Sequence, residues 1–213
     1  LEYPPLTEDI EEAKSHLDKY GMALIANVLS FDEIDEMDKR LNEQFLGEEK
    51  YKVGSKIRGD EGLGVESSDE EKVSRLIWNL INKGDCFLKL IDHPKILPLI
   101  QHIIGEKVCL CSMGAHMNGS GNERMALHQD QWPLVPHPMD FPFMANVMYL
   151  ISDNSPENGG TRLIPGSHKW PLVDYRTANG EEIQKMANSL TAPKGTAIAV
   201  SYTHLRAHET LRY

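Results

Sequence analysis

Cysteine is scarce: Cys86, Cys109 and Cys111 are the three in 213 residues. Their number and spacing exclude the disulfide framework of a small secreted domain. Buried free thiols in a reducing cytoplasm are expected. A soft-metal site at Cys109 and Cys111, which share one face if their segment is a strand, is the alternative. Basic residues are also in deficit, 22 against 32 acids, for a net charge of −10. Phosphate binding needs a basic face, so no nucleic-acid partner is expected. No apolar run reaches the ~20 residues that span a bilayer, so no membrane partner is expected either. No signal peptide, internal repeat or low-complexity tract is visible. The chain opens on Leu1 rather than Met, so its true start is expected to be missing.

What is present suits one domain with a real core. The acids cluster at Glu8, Asp9, Glu11 and Glu12, and again at Asp69, Glu70 and Glu71, as solvated helix starts do. Thr7 can cap a helix that runs to about Tyr20, where Gly21 offers a stop. Residues 22–29 are apolar and partly β-branched, which predicts a strand. Ser30 and Glu33 have capping-box spacing and open a helix to about Phe45. Residues 47–64 are charged and glycine-rich and read as a mobile loop. Ser68 and Glu71 form another capping-box spacing, which predicts a helix over 73–81. A further helix is expected over 96–104, ending at Gly105. The second half changes character. Residues 107–117, 144–152, 160–165 and 196–200 read as short strands separated by turns such as Asn118-Gly119-Ser120-Gly121. Strands of this length and spacing predict an α+β chain, with helices packed on a jelly roll or related barrel.

The chemistry-bearing residues lie in that half. In Leu127-His128-Gln129-Asp130-Gln131-Trp132, His128 and Asp130 are two apart and project to one side of an extended chain. One imidazole and one carboxylate supply two corners of a 2-His-1-carboxylate facial triad, which leaves positions open on Fe(II). A surface histidine beside an acid fits the same spacing. In Asn158-Gly159-Gly160-Thr161-Arg162-Leu163-Ile164-Pro165-Gly166-Ser167-His168, the glycine pair allows close backbone approach or positive φ. Thr161 then begins a strand that the Pro-Gly-Ser-His turn closes.

Taken together these motifs resemble the phytanoyl-CoA dioxygenase family. So do Ala145-Asn146-Val147-Met148, Pro193-Lys194-Gly195-Thr196-Ala197-Ile198-Ala199, and the opening strand and helix at 21–36. The resemblance covers most of residues 20–199. It implies a double-stranded β-helix (cupin-like jelly roll), Fe(II) and 2-oxoglutarate as cofactors, and O2 and a small molecule as the reaction partners. His128 and Asp130 would bind the metal. Thr161 would bond a carboxylate of 2-oxoglutarate, and His116 sits where relatives often place a polar residue near that cosubstrate. Gln131 and Trp132 would lie near the substrate mouth, with residues 133–142 shaping the entrance. His168 belongs to the turn and would not be a ligand. Arg162 is expected to face away from Thr161, at the surface or in an inter-strand ion pair. Asp130 fills a position that related halogenases leave to chloride, so hydroxylation is implied.

The family continues past Ala199 to a distal iron histidine and, about ten residues on, an arginine for 2-oxoglutarate. Here Val200-Ser201-Tyr202-Thr203-His204-Leu205-Arg206-Ala207-His208-Glu209-Thr210 resembles the one-frame translation of a transposase-type sequencing adapter. The expectation is therefore a single, incomplete domain at 1–199 and a non-native tail at 200–213. On that reading His204, Arg206 and His208 carry no function, the third ligand is absent, and the chain as written is expected to turn over poorly or not at all while its parent enzyme is active. The main alternative is a cupin-like scaffold or metal-binding domain without oxygenase activity. An enzyme of the same fold using another metal, such as an isomerase, is a third.

Overall fold

Asp9 opens the first helix. Its carboxylate accepts the backbone N–H groups of Glu11 (2.8 Å) and Glu12 (3.0 Å), and α1 runs over Ile10–Tyr20. The expected cap, Thr7, instead ends a short strand, β1 (Leu6–Thr7), and its hydroxyl accepts the Asp9 N–H. Parallel pairing of β1 with β2 (Met22–Ile25) holds Thr7 extended and two residues too early to cap. Gly21 ends α1 as expected, at φ 77°, and β2 begins on the next residue. The computed structural model describes residues 2–53, 55–58, 73–117, 127, 141–170, 180–201 and 206–207.

Ser30 and Glu33 form the reciprocal capping box that opens α2 (Phe31–Tyr51). This helix outruns its expected end at Phe45 and passes through Gly47. The reason is a chain of side-chain bonds: Arg40 donates to Gln44, Gln44 to Glu48, and Lys83 to Glu48, each at 2.8 Å. These offset the ~1 kcal/mol that glycine costs a helix interior. Ile34, Met37, Leu41 and Phe45 form its buried stripe.

Beyond α2 the structure departs from the expected loop and helix. Strands β3 (Ser55–Arg58) and β4 (Val73–Ile77) pair antiparallel, and β4 also pairs with β5 (Ala115–Met117). The segment Val73-Ser74-Arg75-Leu76-Ile77 suits either period, and strand partners decide it. The proposed cap at Ser68 lies outside the described residues. A 3-10 turn at Leu80–Asn82 leads to α3 (Asp85–Leu88) and α4 (Leu97–Ile104), which ends at Gly105 with φ 95°. Residues 107–114 form no strand, and both Cys109 and Cys111 are exposed. The buried-thiol expectation therefore holds for Cys86 alone, where burial pushes the thiol pKa up.

The C-terminal elements are β6 (Ala145–Tyr149), β7 (Arg162–Leu163), α5 (Gly180–Met186), β8 (Asn188–Ser189), β9 (Ala197–Ser201) and β10 (Arg206–Ala207). One sheet runs β1-β2-β9-β6 and a second runs β10-β7-β8. The buried strand β9 lies antiparallel to both neighbours, with Ala199 registered on Ala23 and Val147. Its side chains alternate. Ala197 and Ala199 join the cluster built by the helices, including Leu17, Met37 and Leu99. Ile198 and Val200 join Met22, Leu24, Leu163 and Leu190 between the two sheets. Helices thus cover one face of the first sheet and the second sheet covers the other. Among the described residues no helix is long and apolar enough to cross a membrane.

Candidate active site

The glycine pair does both things its sequence suggested. Gly159 has φ 74°. Gly160 passes so close to its neighbours that a Cβ there would lie 2.7 Å from the Ser155 carbonyl and 2.8 Å from Asn154 Nδ2. The turn is closed by Gly160 N–H on the Ser155 carbonyl (2.8 Å) and by the Asn158 side chain. Asn158 Oδ1 accepts the Ser155 N–H at 2.8 Å, and its amide donates to the Asp153 carbonyl.

This turn delivers Thr161. Asn154 accepts the Thr161 N–H on Oδ1 at 3.2 Å and donates Nδ2 to the Leu190 carbonyl at 2.6 Å. The Thr161 carbonyl accepts the Leu190 N–H at 2.9 Å. Both backbone polar groups of Thr161 are thereby occupied, and the residue is 4% exposed. Its hydroxyl lies 3.7 Å from the Met148 sulfur on β6. Met148 packs with Leu163, Ile198 and Val200 between the sheets, so Thr161 contributes a hydroxyl to a largely apolar space. Asn146 stands two residues before Met148, in register with Val200, and shares that face. It is half-buried. Sequence reasoning gave Asn146 no role; the period-2 alternation of Ala145-Asn146-Val147-Met148 was the signal that could have found it.

Arg162 does face away from Thr161, but not toward solvent. It is 2% exposed, and its guanidinium donates to the Gln184 carbonyl at 3.3 Å and to Gln184 Oε1 at 3.0 Å. The surface expectation fails because α5 covers that side of β7, and nothing in the strand's own sequence announces the cover. Ile164, on the same side, packs with Leu127, Ala187, Ile183 and Trp170.

The turn after β7 docks on α1. Gly166, at φ 83°, donates its N–H to the Tyr20 carbonyl at 2.8 Å. His168 Nε2 lies 3.3 Å from the Asp18 carbonyl, which calls for a protonated Nε2. Burial holds the His168 pKa below its ordinary value, against the pull of that carbonyl. His168 thus docks the turn on α1.

His116 lies in β5, registered with Leu76, in a different sheet from Thr161 and exposed. His128, Asp130, Gln131 and Trp132 lie outside the described residues, as do His204 and His208. Leu127 is described, at 1% exposure. Among the described residues no group of three or more His, Cys, Asp or Glu is placed to hold a metal.

The arrangement of helices and sheets is shared with non-haem iron enzymes of cupin-like fold. The epimerase SnoN, solved with Fe3+, alpha-ketoglutarate and nogalamycin RO, superposes with a TM-score of 0.68 at 16% identity. That match covers 96% of this chain and 78% of SnoN. HygX from Streptomyces hygroscopicus, solved with nickel and 2-oxoglutarate, gives 0.66 at 15% identity over 94% and 81%. These likenesses define the fold. The chain belongs to the phytanoyl-CoA dioxygenase (PhyH) family, whose pattern matches residues 17–202. Among curated relatives, Dioxygenase af480 of Aspergillus fumigatus is 29% identical over 165 residues, 78% of this chain and 51% of its own length. A probable alpha-ketoglutarate-dependent hypophosphite dioxygenase of Stutzerimonas stutzeri is 25% identical, over 95% of this chain and 74% of its own length. The chain thus spans about half the length of the first of these relatives.

Proposed function

We propose that this chain carries the oxygenase domain of an Fe(II)- and 2-oxoglutarate-dependent enzyme that hydroxylates a small organic molecule, on a double-stranded β-helix. The observation that carries the proposal is Thr161: a hydroxyl fixed through its backbone between two sheets, in a chain of the PhyH family. The hydroxyl can donate to a carboxylate of 2-oxoglutarate, and Asn146 offers a second polar group on the facing strand.

His128 and Asp130 are the proposed iron ligands. Imidazole and carboxylate form the donor set that Fe(II) takes in open-faced sites. Leu127, the residue before His128, is buried with Ile164 and Ala187. Iron and 2-oxoglutarate together would activate O2 for hydroxylation. The chain's own share is positioning and the exclusion of water by Met22, Leu24, Leu163 and Ile198. The fold alone does not select the reaction, since SnoN is an epimerase. His116, Gln131 and Trp132 remain proposals as cosubstrate and substrate neighbours.

No residue is assigned as third ligand or cosubstrate arginine. Residues 200–213 are read as a tail of adapter-like sequence following one domain at 1–199. Independent reads across the Ala199 junction test this. A histidine followed about ten residues later by an arginine would support it, and recovery of the same fourteen residues would overturn it.

The site itself is tested by calorimetric titration of Co(II) with 2-oxoglutarate present. The Asp130→Ala and His128→Ala chains should each bind ~tenfold or more weakly than the parent chain. Equal affinity in all three would sink the assignment.

A further inference from the structure

Two thiols stand outside everything the proposed oxygenase chemistry uses. Cys109 and Cys111 are both exposed, while Cys86, the third cysteine of the chain, is buried in the helical cluster. An exposed free thiol is the exception, since cysteine is among the most buried side chains. Here there are two, separated by Leu110. They lie between α4 and β5, where residues 107–114 form neither helix nor strand. Both ends of that segment are fixed. The Gln101 side-chain amide donates to the Glu106 carbonyl at 3.2 Å, and the Leu80 N–H donates to the Met113 carbonyl at 3.0 Å. Met113 and Ala115 pack against the helical cluster. Between those anchors residues 109–112 are all exposed.

Covalent connection alone keeps the pair close, because two residues of chain span at most about 7 Å between Cα atoms. Two sulfurs bonded to one metal ion at ~2.3 Å each stand no more than ~4.6 Å apart. Rotation about the two χ1 bonds can cover that difference. A disulfide asks more, since its Cα atoms prefer ~5.5–6 Å and its Cβ atoms ~3.8 Å. The pinned ends of the segment resist that contraction. The donor set also selects the ion, because thiolates prefer soft cations. Zinc and iron–sulfur sites ask for four ligands. The chain has no third exposed cysteine, and among the described residues no group of three His, Cys, Asp or Glu is placed to hold a metal. Two thiolates alone suit a soft ion that accepts two-coordinate geometry, which is copper(I).

We propose that Cys109 and Cys111 form a bis-thiolate binding site for copper(I), separate from the imidazole and carboxylate donors proposed for iron. Binding exchanges two thiol protons for one Cu(I) ion, with no change of oxidation state. The test is an anaerobic titration of the reduced full chain with Cu(I) against a chromophoric Cu(I) chelator. The parent chain is compared with Cys109→Ser, Cys111→Ser and Cys86→Ala, and the thermal midpoint of each checks its folding. The parent and Cys86→Ala should each hold one Cu(I) per chain. Each serine variant should lose affinity by about a hundredfold or more, because a hydroxyl is a poor ligand for a soft ion. Mass spectrometry after iodoacetamide treatment gives a second reading that needs no variant. Cu(I) should protect Cys109 and Cys111 together, while Cys86, buried and with its pKa raised, should react slowly with or without it. Equal Cu(I) affinity in the parent and the serine variants would assign the binding to other groups and overturn the proposal. One Cu(I) shared between two chains, seen as a dimer by light scattering, would overturn it as well. So would a Cys109–Cys111 disulfide recovered in place of the copper complex, which would make the pair a redox couple instead.

Discussion

Thr161 is the residue proposed for the cosubstrate, and its backbone is held: its N–H lies on Asn154, its carbonyl accepts from Leu190, and its hydroxyl lies near the Met148 sulfur. Thr161→Val keeps the shape and removes the hydroxyl. It should weaken 2-oxoglutarate binding by about tenfold, roughly one hydrogen bond to a charged group. Calorimetry with Co(II) present measures it, and an unchanged affinity would remove Thr161 from the site. The sharp turn at Gly159-Gly160 was legible in the sequence, whereas a cosubstrate role for Thr161 came only from the family resemblance. Arg162 was only half legible. Alternation told its side of the strand, but whether that side is solvent or protein depends on α5, which arrives from residues 180–186.

Among the elements, helix starts and stops were the most readable, because caps are local chemistry. Ser30 and Glu33 satisfy each other's backbone donors at the start of α2, and Gly21 and Gly105 stop α1 and α4. Ser30→Ala should cost about 1 kcal/mol of stability, read as a lower urea midpoint at unchanged slope. No loss would mean that the capping box is redundant with the packing of Ile34 and Met37. Elements whose identity depends on distant partners were the least readable. β4 was expected as a helix, and only its pairing with β3 and β5 makes it a strand. The length of α2 likewise hangs on Lys83, 35 positions from Glu48.

For the molecule as a whole, titration couples these parts. Burial lowers the pKa of His93 and of His168 below the ordinary imidazole value of ~6.5. The unfolded chain therefore binds more protons than the folded one as pH falls through ~6.5, and stability drops in that window. Glu33 is held below the ordinary carboxylate value chiefly by the Ser30 backbone N–H. In Glu48 burial opposes the charge, but hydrogen bonds from Lys83 and Gln44 prevail and its pKa is lowered too. Those carboxylates stabilise fully above the unfolded value of ~4.3, and their contribution is lost as pH falls from there through their lowered folded-state values. Acid should therefore weaken the fold in two steps. Urea midpoints at about pH 7.5, 5.5 and 4 should fall in order. His168→Gln should flatten the first step, and a flat parent profile would contradict the histidine assignment.

The pairing of β2 with β9 has a consequence in time. A ribosome exposes Met22–Ile25 early, yet the strand that flanks and buries it, Ala197–Ser201, is made roughly 170 residues later. At ~5–20 residues per second that is a wait of roughly 10–35 seconds. Until then the nascent chain carries an apolar strand with an open edge, guarded by β1, α1 and whatever chaperone attends it. An early strand of the first sheet is thus completed nearly last, so premature termination anywhere before Ala197 would strand it.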